Sequence, residues 1–325
     1  MEPALLLSII SNYDLSAPII EFIRHNENRT YKVTDTMTGA AFLLRIHQPV
    51  TESFLGVQHT REGLASEMKL LKTLAEQTEL TVQTPVLNRS GEYVTTCEID
   101  EETICCTLLR WLHGNILSDQ DLFKDENVRR LGTDMAKLHT YSRSYEGVYY
   151  SSRPEYGLER NEKMLGRILC GEQIGLFGMK ERSVLEEVFK LIHHRLAALD
   201  IHSGTWGMVH ADINLSNIIV SDEGWSFIDF CLSGYGFYLM DVGAGALMMK
   251  EEKKELFLNS YTDACSLPDD PVKLLEGFML LAIFGYYAFH MQNPEKHRWI
   301  RERLPRLCDM HCKPFLEDKP IFYQL

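Results

Sequence analysis

The chain has 325 residues, 45% of them hydrophobic and 24% charged, with a formal net charge of −13. That length suits one large domain or two of ordinary size, and the composition is that of a soluble globular protein. The acidity argues against a general nucleic-acid binder, which would present a basic face. No uncharged apolar run reaches the ~20 residues of a bilayer span, so neither nucleic acid nor membrane is an expected partner.

Taken in order, the N-terminal "MEPALLLSIISNYD" has no basic n-region and meets acids early, which speaks against a secretory leader and for a cytoplasmic protein. The eight cysteines are scattered, with Cys105 and Cys106 adjacent, and read as reduced thiols. "APIIEFIRH", "RTYKVTD" and "AFLLRIH", with a turn at Gly39, predict an antiparallel three-strand meander. "TREGLASEMKLLKTL" predicts a helix, since Leu64, Met68, Leu71 and Leu74 recur at helical spacing. Two further strands, "EYVTTCEI" and "TICCTLLRWL", flank the acidic turn "DEE". Everything to Leu112 therefore forms a small β-rich lobe. Residues 1–110 hold nine Lys/Arg against fifteen Asp/Glu, a net of −6 that leaves −7 for the remainder. Acid spread so evenly serves solubility more than a focused pocket.

Beyond Leu112 the pattern turns helical. "NVRRLGTDMAKLHTYS" carries Leu131, Met135 and Leu138 along one side, and "SVLEEVFKLIHHRLAAL" carries Val184, Val188, Leu191 and Leu196. Short strands interrupt from Val209 to Asp229, with Asp222, Glu223 and Gly224 as a hairpin turn. Helices resume from Phe237, and "GFMLLAIFGYYAFHM" reads as a buried helix in which Phe284 to His290 are core. Trp111 and Trp206 read as packing residues. The tail "CDMHC" (Cys308, His311, Cys312) has no second ligand pair to complete a zinc site. The fold class is α+β, with an N-lobe over 1–112 and a mainly helical C-lobe over 113–325.

The chemistry concentrates in "VHADINLSNIIVSDEGWSFIDF". Asp212, Asn217 five residues on, and Asp229 across the hairpin suit phosphoryl transfer. That reaction needs a carboxylate to orient the acceptor hydroxyl and hard oxygen ligands to hold Mg²⁺ beside the donor phosphates.

This stretch resembles the "HGDLHPGNIL…IDF" signature of the aminoglycoside phosphotransferase and choline kinase family, whose fold is protein-kinase-like. Further matches run in the family's order across residues 17–250. "HNENRTYKV" resembles its nucleotide-loop strand pair, "FLLRIHQP" its third strand and "ASEMKLLKTL" its regulatory helix. "LLRWLHGN" resembles the linker, "LGTDMAKLHTYS" the following helix, and "DVGAGAL" the segment after the metal-binding aspartate. The resemblance implies a bilobal kinase-like fold and Mg²⁺-dependent transfer of a phosphoryl group from ATP, with GTP not excluded, to a small-molecule hydroxyl. It assigns Asp212 as catalytic base and Asn217 and Asp229 as metal ligands. His210 and Asp241 support the catalytic loop. Arg45, paired with Glu67, contacts the donor phosphates, and the backbone from Leu109 through Arg110 and Trp111 to Leu112 binds adenine.

Four departures stand out. The loop "RHNENRTYK" has no glycine, Arg45 replaces the usual lysine, Ala211 a glycine, and Asn214 a His or Lys. Arg keeps the charge of Lys but presents a planar fork. The acceptor pocket is expected within 150–178 and 270–301, with Tyr286 or His290 as candidate contacts. The acids Glu155, Glu159, Glu162 and Glu172 read as a solvated helix face. The motif style is similar to that of bacterial members. Two other readings stay open at this point: a Ser/Thr protein kinase of the same fold, similar to bacterial stress-response kinases, and a nucleotide-binding scaffold without turnover.

Overall fold

The protein is described by a computed structural model over residues 3–25, 28–48, 56–99, 102–145, 152–221, 224–268 and 270–325. Parts of several expected features lie outside these residues: Asn26 and Glu27 of the nucleotide loop, Asp100 and Glu101 of the acidic turn, Asp222 and Glu223 of the hairpin turn, and Tyr150 at the head of the acceptor segment.

The chain opens with helix α1 (Pro3–Ile10), strands β1 (Pro18–His25), β2 (Arg29–Asp35) and β3 (Ala41–Ile46), and helix α2 (Arg61–Gln77). Strands β4 (Thr81–Val82), β5 (Val94–Ile99), β6 (Glu102–Arg110) and β7 (Asn115–Ile116) follow, then helices α3 (Asp125–Ser142), α4 (Leu158–Gln173) and α5 (Met179–Ala197). Next come strands β8 (Trp206–Val209), β9 (Ile218–Ser221), β10 (Gly224–Phe227) and β11 (Gly234–Phe237). Helices α6 (Leu239–Leu247), α7 (Glu251–Thr262), α8 (Pro271–His290), α9 (Pro294–Leu307) and α10 (Lys313–Leu316) complete the chain. This is the mixed α+β class expected.

Two compact units result. The first comprises Met1–Leu117, Glu146–Pro154 and Ser216–Ser233; the second comprises Ser118–Tyr145, Glu155–Leu215 and Gly234–Leu325. The expected cut at Leu112 falls inside the first unit. The hairpin β9–β10 also groups with the first unit, because β10 pairs with β4 and β9 with β7. Those two-residue strands carry no periodic signal, so the sequence placed the hairpin among the helices.

In the first unit, an antiparallel sheet runs in the order β1-β2-β3-β6-β5. Val33, Phe42, Leu44, Ile46, Ile104 and Leu108 line one face, where α1 adds Leu6, Ile9 and Ile10. Side chains alternate along a strand, so Arg45 points to the opposite face from Leu44, yet it is only 3% exposed. Helix α2 starts at Thr60, whose hydroxyl accepts from the Gly63 amide at 3.1 Å and caps the helix. It buries Leu64, Met68, Leu71 and Leu74 as the spacing predicts, and Glu67 with them.

In the second unit, α3 buries Leu131, Met135 and Leu138 as expected. Helix α5 buries Leu185, Val188, Phe189, Ile192 and Leu196, so its apolar stripe is rotated from the one read through Val184 and Leu191, which are half-buried. Strands β8 and β11 pair antiparallel from Trp206↔Phe237 to Val209↔Gly234, so a strand occupies the stretch ending at Phe237 where helices were expected to resume. Helix α8, at 20 residues, is long and apolar enough to cross a membrane by length and composition. It buries Leu275, Phe278, Met279, Leu280, Leu281 and Phe284, but the run from Phe284 to His290 is core only in part: Tyr287 and Ala288 are buried, whereas Tyr286 and Phe289 on the other side of the helix are exposed. The helix is longer than the uncharged run because Lys273 and Glu276 fall within its first turns. The "CDMHC" tail is a π-helical turn with Cys308 and Cys312 buried.

Candidate active site

The first unit assembles a buried ionic cluster. Arg45 on β3 donates from Nη2 to Glu67 Oε1 on α2 at 2.7 Å and from Nε to Thr107 Oγ1 on β6 at 3.3 Å. Its Nη1 stands 3.9 Å from Asp229 Oδ1. Burial would lower the Arg45 pKa, but the neighbouring carboxylates of Glu67 and Asp229 outweigh it and hold the pKa raised. Arg24 Nη2 approaches the other Asp229 oxygen at 3.6 Å. Beside them, His47 is buried with Nε2 3.0 Å from Thr107 Oγ1. Burial first, then the charge of Arg45, hold its pKa well below the ordinary histidine value.

Asp229 follows β10 by two residues and sits at φ 64°, ψ 58°, in the left-handed region. Asp and Asn adopt that conformation more readily than most residues. Its side chain is 32% exposed and, among the described residues, meets the two guanidinium groups only beyond hydrogen-bonding distance. Lone pairs therefore remain for a hard cation. Asn217 ends the turn before β9, and its carbonyl accepts from the Ile228 amide at 2.9 Å, which ties it to the approach to Asp229. A carboxylate and an amide oxygen suit Mg²⁺, which takes one or two protein ligands and fills its octahedron with water and substrate phosphates. The donor set fits the ion. Among the described residues no group of three or more His, Cys, Asp or Glu could hold a metal, the "CDMHC" turn included.

The expected adenine segment lies at the end of β6. Leu109 is buried. The Arg110 amide is taken by Thr84 O at 2.8 Å and the Trp111 amide by Ala41 O at 3.0 Å. Among the described residues the half-buried Leu112 has no such backbone acceptor, which leaves its N–H as the donor of this segment available to a base. Lys32 Nζ lies 5.2 Å from the Trp111 ring centroid.

The second unit builds the loop around Asp212. The Asp241 carboxylate, wholly buried on α6, accepts from the His210 amide at 2.7 Å and from the Ala211 amide at 2.9 Å. His139 Nε2 lies 3.1 Å from Asp241 Oδ2 and its Nδ1 2.9 Å from the Tyr261 hydroxyl, with the ring stacked on Tyr238 at 4.7 Å. Burial alone would raise the Asp241 pKa, but the bonds and charge from His139, with His210, hold it lowered. Ala211 adopts φ 65°, which explains why glycine suits this position elsewhere in the resemblance. The Asp212 amide faces His210 Nδ1 at 3.3 Å, and Asn214 Nδ2 donates to Asp212 Oδ1 at 3.0 Å and to its carbonyl at 3.1 Å. Asn214 thus orients the Asp212 carboxylate. Asp212 lies three residues beyond the end of β8, in the loop that follows it.

The sequence reading passed over several residues. His139 was visible inside the quoted "LGTDMAKLHTYS" but its partner lies 102 residues away. Arg24 and Thr107 lay inside quoted stretches without being singled out, and Arg153 lay in none. Trp206 packs edge-on against Phe237 at 4.8 Å, as expected. Tyr286 is 46% exposed and contacts His290 and Trp299.

The sequence pattern described as the phosphotransferase enzyme family matches residues 19–272. Three solved structures share the fold over nearly the full length of both chains. A microcompartment-associated aminopropanol kinase superposes with TM-score 0.81 at 22% identity, covering 98% of each chain. An amicoumacin kinase bound to AMP-PNP, Ca²⁺ and its antibiotic gives 0.77 at 19% identity, covering 99% of this chain and 96% of that one. A spectinomycin phosphotransferase bound to ADP and spectinomycin gives 0.70 at 10% identity, covering 100% of both. Among curated proteins no sequence matches the chain. The chain belongs to the phosphotransferase enzyme family, with its protein-kinase-like fold, and is an enzyme of the kinase type.

Proposed function

We propose that this phosphotransferase moves the γ-phosphoryl group of ATP to a hydroxyl of a small molecule of the amino alcohol or amino sugar kind, with Mg²⁺ as the cation. The observation that carries the reading is the rigid loop at Asp212. Two consecutive amides bind the buried Asp241, and Asn214 holds one Asp212 oxygen, so the carboxylate is preset and needs no reorganisation. Three solved structures of the same fold are named as kinases or phosphotransferases of aminopropanol, amicoumacin and spectinomycin, and these names support a small-molecule acceptor.

In this mechanism Asp212 accepts the acceptor hydroxyl's proton as its oxygen bonds to the γ-phosphorus. The bond from that phosphorus to the β,γ-bridging oxygen breaks, and ADP leaves with the electron pair. Asn217 and Asp229 would hold the cation, which would neutralise charge on the donor phosphates. Arg45 presents Nη1, free of hydrogen bonds among the described residues, toward Asp229, from where it would meet a phosphate oxygen of the nucleotide. Glu67 and Thr107 fix the rest of its fork. Leu112 N–H meets the adenine edge.

The test is transfer from Mg-ATP to a panel of amino alcohols, amino sugars, nucleosides and a generic protein substrate, with Asp212→Asn alongside. Turnover of one small-molecule acceptor, lost in the variant, is the expected result. Transfer to protein alone, or to nothing, would overturn the reading.

A further inference from the structure

Arg153 is a buried cation that the mechanism above does not use. Residues 152–154, to which it belongs, group with the first unit although they lie in sequence between two helices of the second. Its side chain spends the whole fork on that unit. Nε donates to Ser233 O at 2.8 Å and Nη1 to Gly63 O at 3.0 Å. Nη2 donates to Phe230 O at 3.0 Å, Cys231 O at 2.8 Å and Ser233 Oγ at 2.8 Å. Arg153 is 4% exposed, and every one of these acceptors is uncharged.

The acceptors fall in two places. Phe230, Cys231 and Ser233 are the residues directly after Asp229, whose left-handed backbone is disfavoured for an L-residue and must be held by its surroundings. Gly63 lies in the first turn of α2, and in α-helical spacing its carbonyl is the acceptor of the Glu67 amide. A side chain at Gly63 would come within 2.1 Å of Val57 O, so the close approach at this turn requires glycine. One guanidinium therefore grips both the backbone that aims Asp229 and the helical turn that carries Glu67. A surface-packing arginine would not surrender its whole fork to main-chain carbonyls of two separate elements.

We propose that Arg153 is a positioning residue that couples the loop after Asp229 to helix α2, so that the metal-ligand carboxylate and the partner of Arg45 are set together. The coupling stands on geometry alone. Its consequence for the metal rests on the reading of Asp229 given above.

The test uses the full chain without ligand and compares wild type with Arg153→Lys, which keeps the charge and loses the planar fork. Ser233→Ala, a milder change that removes one acceptor, serves as a second variant should the first fold poorly. Hydrogen–deuterium exchange is followed over residues 61–77 and 228–234, with 179–197 as reference. The expected result is an exchange rate raised at least tenfold in both segments for Arg153→Lys and less for Ser233→Ala, with the reference unchanged. Faster exchange in one segment only, in neither, or evenly over the chain would overturn the coupling. Magnesium titration of ATP binding then reads the consequence. Arg153→Lys should need at least tenfold more Mg²⁺ for half-saturation, and an unchanged requirement would overturn the link to Asp229. Wild type that binds ATP without any dependence on Mg²⁺ would refute that link through the metal reading itself, and the exchange result would still decide the coupling.

Discussion

Among the described residues, each unit buries one carboxylate completely, Glu67 in the first and Asp241 in the second, and satisfies it by opposite means. Glu67 meets a guanidinium, while its Oε2 has no hydrogen-bond partner in the described structure. Asp241 meets two backbone amides and an imidazole. The first arrangement keeps a charged group poised beside Asp229; the second freezes the backbone before Asp212. The contrast matches the two tasks proposed for the site: binding nucleotide and cation by charge, and receiving the acceptor proton on a group held in place.

The largest effect on stability is expected where charge is left alone. Glu67→Leu strands the buried Arg45 and should destabilise the protein by about 3–5 kcal/mol in urea unfolding, the usual cost of breaking a buried pair. A loss under 1 kcal/mol would mean that Asp229 alone suffices as counter-charge. Asp241→Asn should cost less, about 1–3 kcal/mol, because the amide turns a donor toward at least one of the His210 and Ala211 N–H groups. It should also lower turnover by loosening the Asp212 loop, and wild-type turnover in this variant would contradict that role.

Acid sharpens the contrast further. His47 beside Arg45 stays neutral when folded, its pKa held well below 6.5. The unfolded chain takes up a proton there from pH 6.5 downward. Folding stability therefore falls as pH drops below 6.5, by at most about 1.4 kcal/mol per pH unit for one proton. His47→Gln should flatten this slope between pH 7 and 5.5. The Asp241 pKa is depressed, so its contribution is complete above the ordinary carboxylate value of 3.8 and is lost only as pH falls beneath it. The smallest effect is expected from Ala211→Gly, which relieves a left-handed alanine and should add about 0.5–1 kcal/mol. A destabilised Ala211→Gly would show that chain entropy outweighs that strain.

The groups proposed to react, Asp212, Asn217 and Asp229, could be picked from the sequence because they sit in one contiguous stretch with types and spacing suited to phosphoryl transfer. The groups that hold their surroundings in place could not. His139 and Arg153 act across separations of 102 and 77–90 residues, and neither residue type signals such a partner. Helix α1 went unread because its sequence, PALLLSII, is apolar almost throughout and takes its facing from the sheet residues it packs against. The α5 stripe was misplaced by one position because Val184 and Leu185, and Leu191 and Ile192, are adjacent apolar pairs that periodicity alone does not separate.

The division of labour is tested most directly by measuring Mg-ATP binding and phosphoryl transfer side by side in Asp212→Asn and Asp229→Asn. Asp212→Asn should bind Mg-ATP as wild type does and lose about 10²–10⁴-fold in turnover, the range for a positioned general base. Asp229→Asn should lose the magnesium dependence of nucleotide binding itself. Equal loss of nucleotide binding in both variants, or transfer by Asp212→Asn at the wild-type rate, would contradict the account.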